Sequence, residues 1–318
     1  MSTDIKKSAI DVKVVVVLVN YNNIDDTVSC INSLECSEIP TYTVIVDNNS
    51  PVKGIDKAVS KFNNVHLIQL EENIGFGKGN NVGIEWALTH TNCDYVFILN
   101  NDTEIKKDCI SLLQKEIEAD ESIGMATCKI LMMHEPETLW YGGGEFNEKT
   151  GKVEALYGKP VTYADANKNK YVSFASGCAM FFKRETLELI KGFDNRFFMY
   201  IEDVEICLRV LKENLKILYV HNAIIYHKCQ GSMRGKEETF VPRLNVKNKK
   251  LPFYVYHTFK NQFITSHIYI QGVNRLYFFM SFYSYWIAKF MQLLLNSKIN
   301  ACKAILKAQK DALTEIRL

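Results

Sequence analysis

Between residues 12 and 100 the chain alternates short, mostly apolar runs with segments whose apolar positions recur at helical spacing. "VKVVVVLVN" (12–20), "YTVIVDNNS" (42–50), "VHLIQL" (65–70) and "YVFILN" (95–100) are rich in β-branched residues and too short for helices, so they predict buried strands. Between them "DDTVSCINSLECS" places Val28, Ile31 and Leu34 on one face, and helices are expected near Ile55 to Phe62 and over "GNNVGIEWALTH". This rhythm implies right-handed parallel crossovers and an α/β fold with an open sheet. A helix over 110–119 and a strand over 123–132 follow. "WYGGGEFNEKTGKVEALYGKP" reads as a glycine-rich hairpin excursion of the kind that covers a site. "YVSFASGCAMFFKRETLELI" predicts a strand running into a helix, and "GFDNRFFMYIEDVEICLRVLKENLKILYV" a loop, a helix and a further strand. The character changes beyond Pro252, which divides the chain into a domain of residues 1–250 and an aromatic and basic helical region of residues 251–318.

The strands end alike. The first exits into Asn20-Tyr21-Asn22, the second into Asp47-Asn48-Asn49 and the fourth into Asn100-Asn101-Asp102. One such exit is explained by a turn, because Asn and Asp bond their own backbone. Three on one sheet edge make a site candidate, since open α/β sheets bind ligands beyond the carboxyl ends of their strands.

Composition narrows the class without naming a chemistry. The 318 residues are 47% hydrophobic and 23% charged, an ordinary globular balance. A net charge of +2 gives no bulk electrostatic case for nucleic acid. Nine cysteines occur singly, with no CxxC, which suits buried thiols in a reducing cytoplasm better than a disulfide framework. "MSTDIKKSAIDVK" lacks the apolar stretch of a signal peptide, so a cytoplasmic location is expected.

Three segments carry candidate chemistry. In "FFMYIEDVEICLRV" (197–210), Glu202, Asp203 and Glu205 stand at the start of a helix. The helix dipole favours acids there, but it does not account for the aromatic wall of Phe197, Phe198 and Tyr200 just before them. Partial desolvation would move a carboxylate toward the range of a general base. His227, in "YHKCQGS", is either a structural histidine or, if Asp102 lies beside it, half of a divalent-cation site. "ENIGFGKGNNVGIEWAL" (72–88) carries Gly75, Gly77 and Gly79 before a helix, where backbone N–H groups could approach a diphosphate, though it matches no dinucleotide or Walker pattern.

Taken in order, "VVVLVNYNN", "VIVDNNS", "NIGFGKGNNVGI", "VFILNNDTEI", "SGCAMFFKRETLELIKGFDNRFFMYIEDVEICLRV" and "YHKCQGS" resemble the motifs of family 2 glycosyltransferases, in particular the bacterial rhamnosyltransferase-like enzymes of surface polysaccharide assembly. The resemblance covers residues 12 to 235. It implies a GT-A fold, with a mixed, mainly parallel sheet flanked by helices, and inverting transfer of a sugar from a nucleotide diphosphate donor. It further implies that Asn20, Tyr21 and Asp47 hold the nucleobase and ribose, that Asn80 stands where relatives place a nucleotide-gripping arginine, and that Asn100-Asn101-Asp102 occupies the DxD position. Asn101 would then face the donor, and Asp102 with His227 would bind Mn²⁺ or Mg²⁺. Asn100 replaces the first aspartate, which leaves one fewer anionic ligand. Glu202 and Asp203 are the catalytic pair by this resemblance, with Asp203 the base, and Arg209 either steadies the donor or forms an ion pair.

The tail "LYFFMSFYSYWIAKFMQLLL" followed by "KINACKAILKAQKDALTEIRL" leaves three readings: a helix lying on the cytoplasmic leaflet, packing within a helical subdomain or a homo-oligomer, or a membrane span. "FYVYHTFKNQF" resembles a family segment ending Arg-Asn, here Lys260-Asn261. The expected partners are a nucleotide diphosphate sugar, a lipid-linked saccharide acceptor and the inner face of the cytoplasmic membrane. Rival readings are a transferase of the same fold for another hexose or N-acetylhexosamine, a nucleotide-sugar-binding protein without catalysis, and a nucleotidyltransferase.

Overall fold

A computed structural model describes residues 9–228 and 244–317; the part of "YHKCQGS" beyond Lys228, with Cys229, lies outside the described residues. Strand β1 (Val14–Asn20) is flanked in parallel by β2 (Thr41–Asp47) and β4 (Tyr95–Asn100), and β3 (Val65–Gln69) extends the sheet beyond β2. Val14 through Leu18 are fully buried, because helices cover both faces of this part of the sheet. The crossovers are α1 (Ile24–Glu35), α2 (Ile55–Val59) and α3 (Phe76–His90). Helix α3 lies close on β1: a Cβ at Gly83 would sit 2.3 Å from Cγ1 of Val17.

After β4 come β5 (Thr103–Ile105), α4 (Cys109–Glu118), β6 (Ile123–Met132), β7 (Glu135–Tyr141), β8 (Gly144–Asn147), β9 (Lys152–Ala155) and β10 (Lys170–Val172). They are followed by β11 (Ala179–Lys183), α5 (Arg184–Ile190), α6 (Glu202–Lys212) and β12 (Lys216–His227). The main sheet runs β10-β12-β6-β11-β4-β1-β2-β3, with β5 added to β12 and β7 to β6. Strand β11 is antiparallel to both β4 and β6, and β12 is parallel to β6. The amino end of β11 therefore lies at the sheet edge where β1, β2, β4 and β12 finish. The mixed, mainly parallel sheet agrees with the expectation from sequence. The glycine-rich excursion does not form one hairpin: β7 joins the main sheet, and only β8 and β9 pair with each other. Among the described cysteines no disulfide forms, and only Cys36 is exposed.

Helices α7 (Leu251–Tyr269), α8 (Gly272–Leu295) and α9 (Ile299–Arg317) build a second hydrophobic cluster. Phe259 packs edge-on against Phe282 and Trp286, with ring centroids 4.9 and 5.0 Å apart, so part of the aromatic tail is helix–helix core. Phe197, from the loop before α6, belongs to this cluster and not to that of the sheet. Among the described residues no helix is long and apolar enough to cross a membrane, which removes the spanning reading.

Candidate active site

The three polar strand exits form one hydrogen-bonded network. Register places Asn20 beside Asp47, and the Asn20 amide donates to Asp47 Oδ1 (2.6 Å) and to Ser50 Oγ (3.1 Å). Asn20 Oδ1 accepts from Thr27 Oγ1 at 3.1 Å, and from the backbone N–H of Asn23 and the Asn101 amide at 3.3 Å. Asn101 also donates to Thr27 Oγ1 at 2.8 Å. A fully buried asparagine thus ties β1, β2, α1 and the β4 exit together, where unpaired amides would carry a desolvation cost of about 1–3 kcal/mol each. Asp47 is also buried and accepts from Ser50 N (3.2 Å) and Ser50 Oγ, while Tyr21 stands half-buried at the rim.

Asp102 and His227 meet. Thr103 is the ladder partner of His227 between β5 and β12, and this pairing brings the imidazole Nε2 to 3.1 Å from Asp102 Oδ1. The backbone N–H of Lys228 donates to the Asp102 carbonyl (3.0 Å), closing the pair from the other side. Trp140, on β7, packs edge-on against the His227 ring at a centroid distance of 4.5 Å and orients it. Asp102 is only 5% exposed, yet its Oδ2 is buried without a hydrogen-bond partner. Such an atom is costly unless something else engages it.

These features fit a divalent cation. Carboxylate plus imidazole is a donor set for Mn²⁺ or Mg²⁺, and ligand bonds of roughly 2.1 Å in an octahedron put neighbouring ligand atoms about 3 Å apart. Among the described residues no cluster of three or more His, Cys, Asp or Glu side chains could hold a metal. Two protein ligands completed by substrate phosphates are the usual arrangement for a hard cation of this kind.

Asp203 occupies the first turn of α6, and its Oδ1 accepts from Val204 N (2.9 Å). Oδ2 lies 3.4 Å from the N–H of Gly177, just before β11, and the neighbouring Cys178 carbonyl accepts from Asn100 N (2.9 Å). Asp203 therefore shares the sheet edge of the Asn100-Asn101-Asp102 exit, one strand away. Glu202 is buried beside it, 7% exposed. Tyr200 and Ile201 precede the helix with φ of 70° and 71°. Left-handed backbone in a non-glycine residue costs about 1–3 kcal/mol, and Ile201 is β-branched besides. Arg209 is engaged within the protein: it pairs with buried Glu205 and donates to the Ile190 carbonyl at 2.7 Å. Of the two roles considered for it, the structure displays the ion pair.

The glycine-rich loop is fastened to its neighbours at the entry to α3. Ile74 N donates to Asn48 Oδ1 (2.9 Å), Gly75 N to Asn73 Oδ1 (3.0 Å) and Phe76 N to the Phe198 carbonyl (2.9 Å). These three N–H groups are already satisfied and are not presented to a diphosphate. Gly75 instead permits contact with the 193–201 loop, since a Cβ there would lie 2.2 Å from the Phe198 carbonyl oxygen and its φ is 89°. Asn80, 1% exposed, fastens the first turn of α3 by donating to the Phe76 carbonyl (3.0 Å), and its own Oδ1 accepts no hydrogen bond.

Residues on α7 and β7 back these groups through contacts that the sequence alone did not reveal. Phe198 stacks on His257 and meets Phe253 edge-on, and Tyr200 packs on Phe253 and Tyr254, so the aromatic wall before the acids leans on α7. Burial lowers the His257 pKa to about 4, which keeps the ring neutral at physiological pH. The only sequence signal for this packing was the Lys260-Asn261 pair.

Comparison with known proteins agrees with the fold. The model of "Glycosyl transferase family 2" matches residues 15–190, and that of "N-terminal domain of galactosyltransferase" matches 162–229, the stretch holding Asp203 and His227. The low-salt glycan biosynthesis hexosyltransferase Agl10 of Haloferax volcanii is 26% identical over 267 residues, covering 82% of this chain and 78% of the relative. An N-acetylglucosaminyl-diphospho-decaprenol L-rhamnosyltransferase of Mycobacterium tuberculosis is 24% identical over 223 residues, 62% of this chain and 70% of that one. GalNAc-T7, solved with UDP, GalNAc and Mn²⁺, superposes with a TM-score of 0.57 at 16% identity over 68% of this chain and 44% of its own. Mannosyltransferase PcManGT of Pyrobaculum calidifontis, solved with GDP-Man and Mn²⁺, gives 0.53 at 13% identity over 97% and 84%. The chain belongs to glycosyl transferase family 2 and is a glycosyltransferase of the GT-A fold, with rhamnosyltransferases among the proteins it is similar to.

Proposed function

We propose that this glycosyltransferase moves a hexose, rhamnose first among the candidates, from a nucleoside diphosphate donor to a lipid-linked saccharide with inversion, in surface polysaccharide assembly. The observation that carries the reading is the buried Asp102–His227 pair with an unengaged carboxylate oxygen, on the same sheet edge as Asp203. Asn20, Tyr21, Asp47, Asn80 and Asn101 shape the donor end, with Tyr21 at the open rim. Asp203 Oδ takes the proton of the acceptor hydroxyl as that oxygen attacks the anomeric carbon, and the nucleoside diphosphate departs from the opposite face. Asp102 and His227 would hold Mn²⁺ or Mg²⁺, which when bound would offset the negative charge of the diphosphate leaving group. The names of the mycobacterial relative and of a Shigella flexneri relative, dTDP-rhamnosyl transferase RfbF, support rhamnose as the sugar.

A panel of dTDP-, UDP- and GDP-sugars, offered with Mn²⁺ and followed by NMR of the product, tests the proposal. Turnover of one donor with inverted anomeric configuration is expected. A retained configuration would contradict it, and nucleotide-sugar binding without transfer or hydrolysis would favour the inactive binding protein.

The same proposal places the protein on the cytoplasmic membrane face. Helix α8 buries Phe278, Phe282 and Trp286 yet exposes Val273, Leu276, Met280 and Ile287 to 61–65%, giving it two apolar sides. Lys298, Lys303, Lys307 and Lys310 are exposed on and before α9, which suits an anionic bilayer. Replacing exposed Leu276 and Ile287 together by Glu is expected to reduce co-sedimentation with anionic phospholipid vesicles by about tenfold or more, with the melting temperature held. Undiminished sedimentation would remove α8 from the membrane contact.

A further inference from the structure

We propose that Asn261, on the helix after the sheet domain, is a positioning residue that holds the backbone turn aiming Asp203. The inference rests on the reading of Asp203 as base. Tyr200 and Ile201 adopt consecutive left-handed conformations immediately before α6, without a glycine to ease them. Something outside the loop must hold them there. The Asn261 side chain is fully buried, and its amide donates to both carbonyls at the turn, Met199 O at 3.0 Å and Tyr200 O at 2.7 Å.

Two further contacts from the same helix fix the segment on either side. Lys260 Nζ donates to the Arg196 carbonyl (3.1 Å) and pairs with Glu315 of α9 (2.8 Å), while Tyr269 donates to Glu205 Oε1 (2.7 Å). Helix α7 thus grips residues 196, 199, 200 and 205, which bracket the proposed base. If Tyr200 and Ile201 relaxed to right-handed backbone, those carbonyls would swing off Asn261 and the first turn of α6 would reorient. The Asp203 carboxylate would then leave the Gly177 N–H against which it now rests. Lys260-Asn261 accordingly serves the protein's own turn.

The test compares Asn261→Ala with Asn261→Leu, which keeps the volume but cannot donate, in wild-type and Asp203→Asn backgrounds. Steady-state transfer, calorimetric binding of UDP, GDP and dTDP with Mn²⁺, and melting temperature are measured. A misaimed base is expected to lower kcat by about 10²-fold in both variants, with nucleotide affinity changed by less than about twofold. In the Asp203→Asn background the further loss should vanish, because the group being aimed is gone. Unchanged kcat overturns the proposal. So does a parallel fall in kcat, affinity and melting temperature, or failure of both variants to fold, since either assigns Asn261 to the core alone. Full transfer by Asp203→Asn itself would instead refute the reading of the base, and is distinguishable by that single variant.

Discussion

Asp203→Asn is expected to lower transfer by about 10³-fold while binding of nucleoside diphosphate with Mn²⁺ stays within about twofold of wild type. The amide keeps the size of the carboxylate and its one oxygen can still accept from Val204 N, while the NH2 takes the place of the oxygen that faces Gly177 N at the longer 3.4 Å. It cannot take a proton, however, so an acceptor hydroxyl must attack without a base. Asp203 lies on the β11 side of the edge, apart from the β1 and β2 exits, so the donor end should be undisturbed. Initial-rate kinetics and calorimetry on the same preparation check this. Equal loss of transfer and binding would make Asp203 a binding residue.

Asp102→Ala is expected to weaken Mn²⁺-dependent nucleotide binding by about 10²-fold or more, a larger effect than the 10–100-fold typical of residues that only support metal ligands. The alanine removes both the atom 3.1 Å from His227 Nε2 and the unengaged Oδ2. Among the described residues no group of three His, Cys, Asp or Glu side chains is placed to hold a metal, so the pair has no third protein ligand of that kind to fall back on. His227→Ala should weaken binding in the same direction but less, because a carboxylate contributes charge as well as a lone pair. An unchanged Mn²⁺ titration in Asp102→Ala would take this residue out of the coordination sphere.

How far the residues foretell this arrangement depends on whether each interaction is local. Strands β1, β2 and β4 are legible because an apolar run buried on both faces leaves no alternation to misread, and the amide-rich exits mark where each stops. The convergence of Asn20, Asp47 and Asn101 follows from parallel pairing. That Asn20 spends its side chain binding the exits together does not follow, since it depends on Ser50 and Thr27 arriving from separate elements. Strand β5, only Thr103–Ile105, is too short to show a period, although it delivers His227 to Asp102. The packing role of the glycine-rich segment was not legible, because Gly75 and Gly83 answer to close neighbours, Phe198 and Val17, which adjacent sequence cannot reveal. Helix α8 is apolar on two sides, so periodicity alone could not separate the face against α7 and α9 from the face left exposed.

The most direct test of the central claim is the position of Mn²⁺ in crystals grown with the donor that the panel identifies, read from the metal's anomalous scattering. The account predicts a peak bonded to Asp102 and His227 and to the donor diphosphate, with the Asp203 carboxylate on the opposite face of the anomeric carbon. A peak away from Asp102, or a hexose that does not lie between the metal and Asp203, would contradict it.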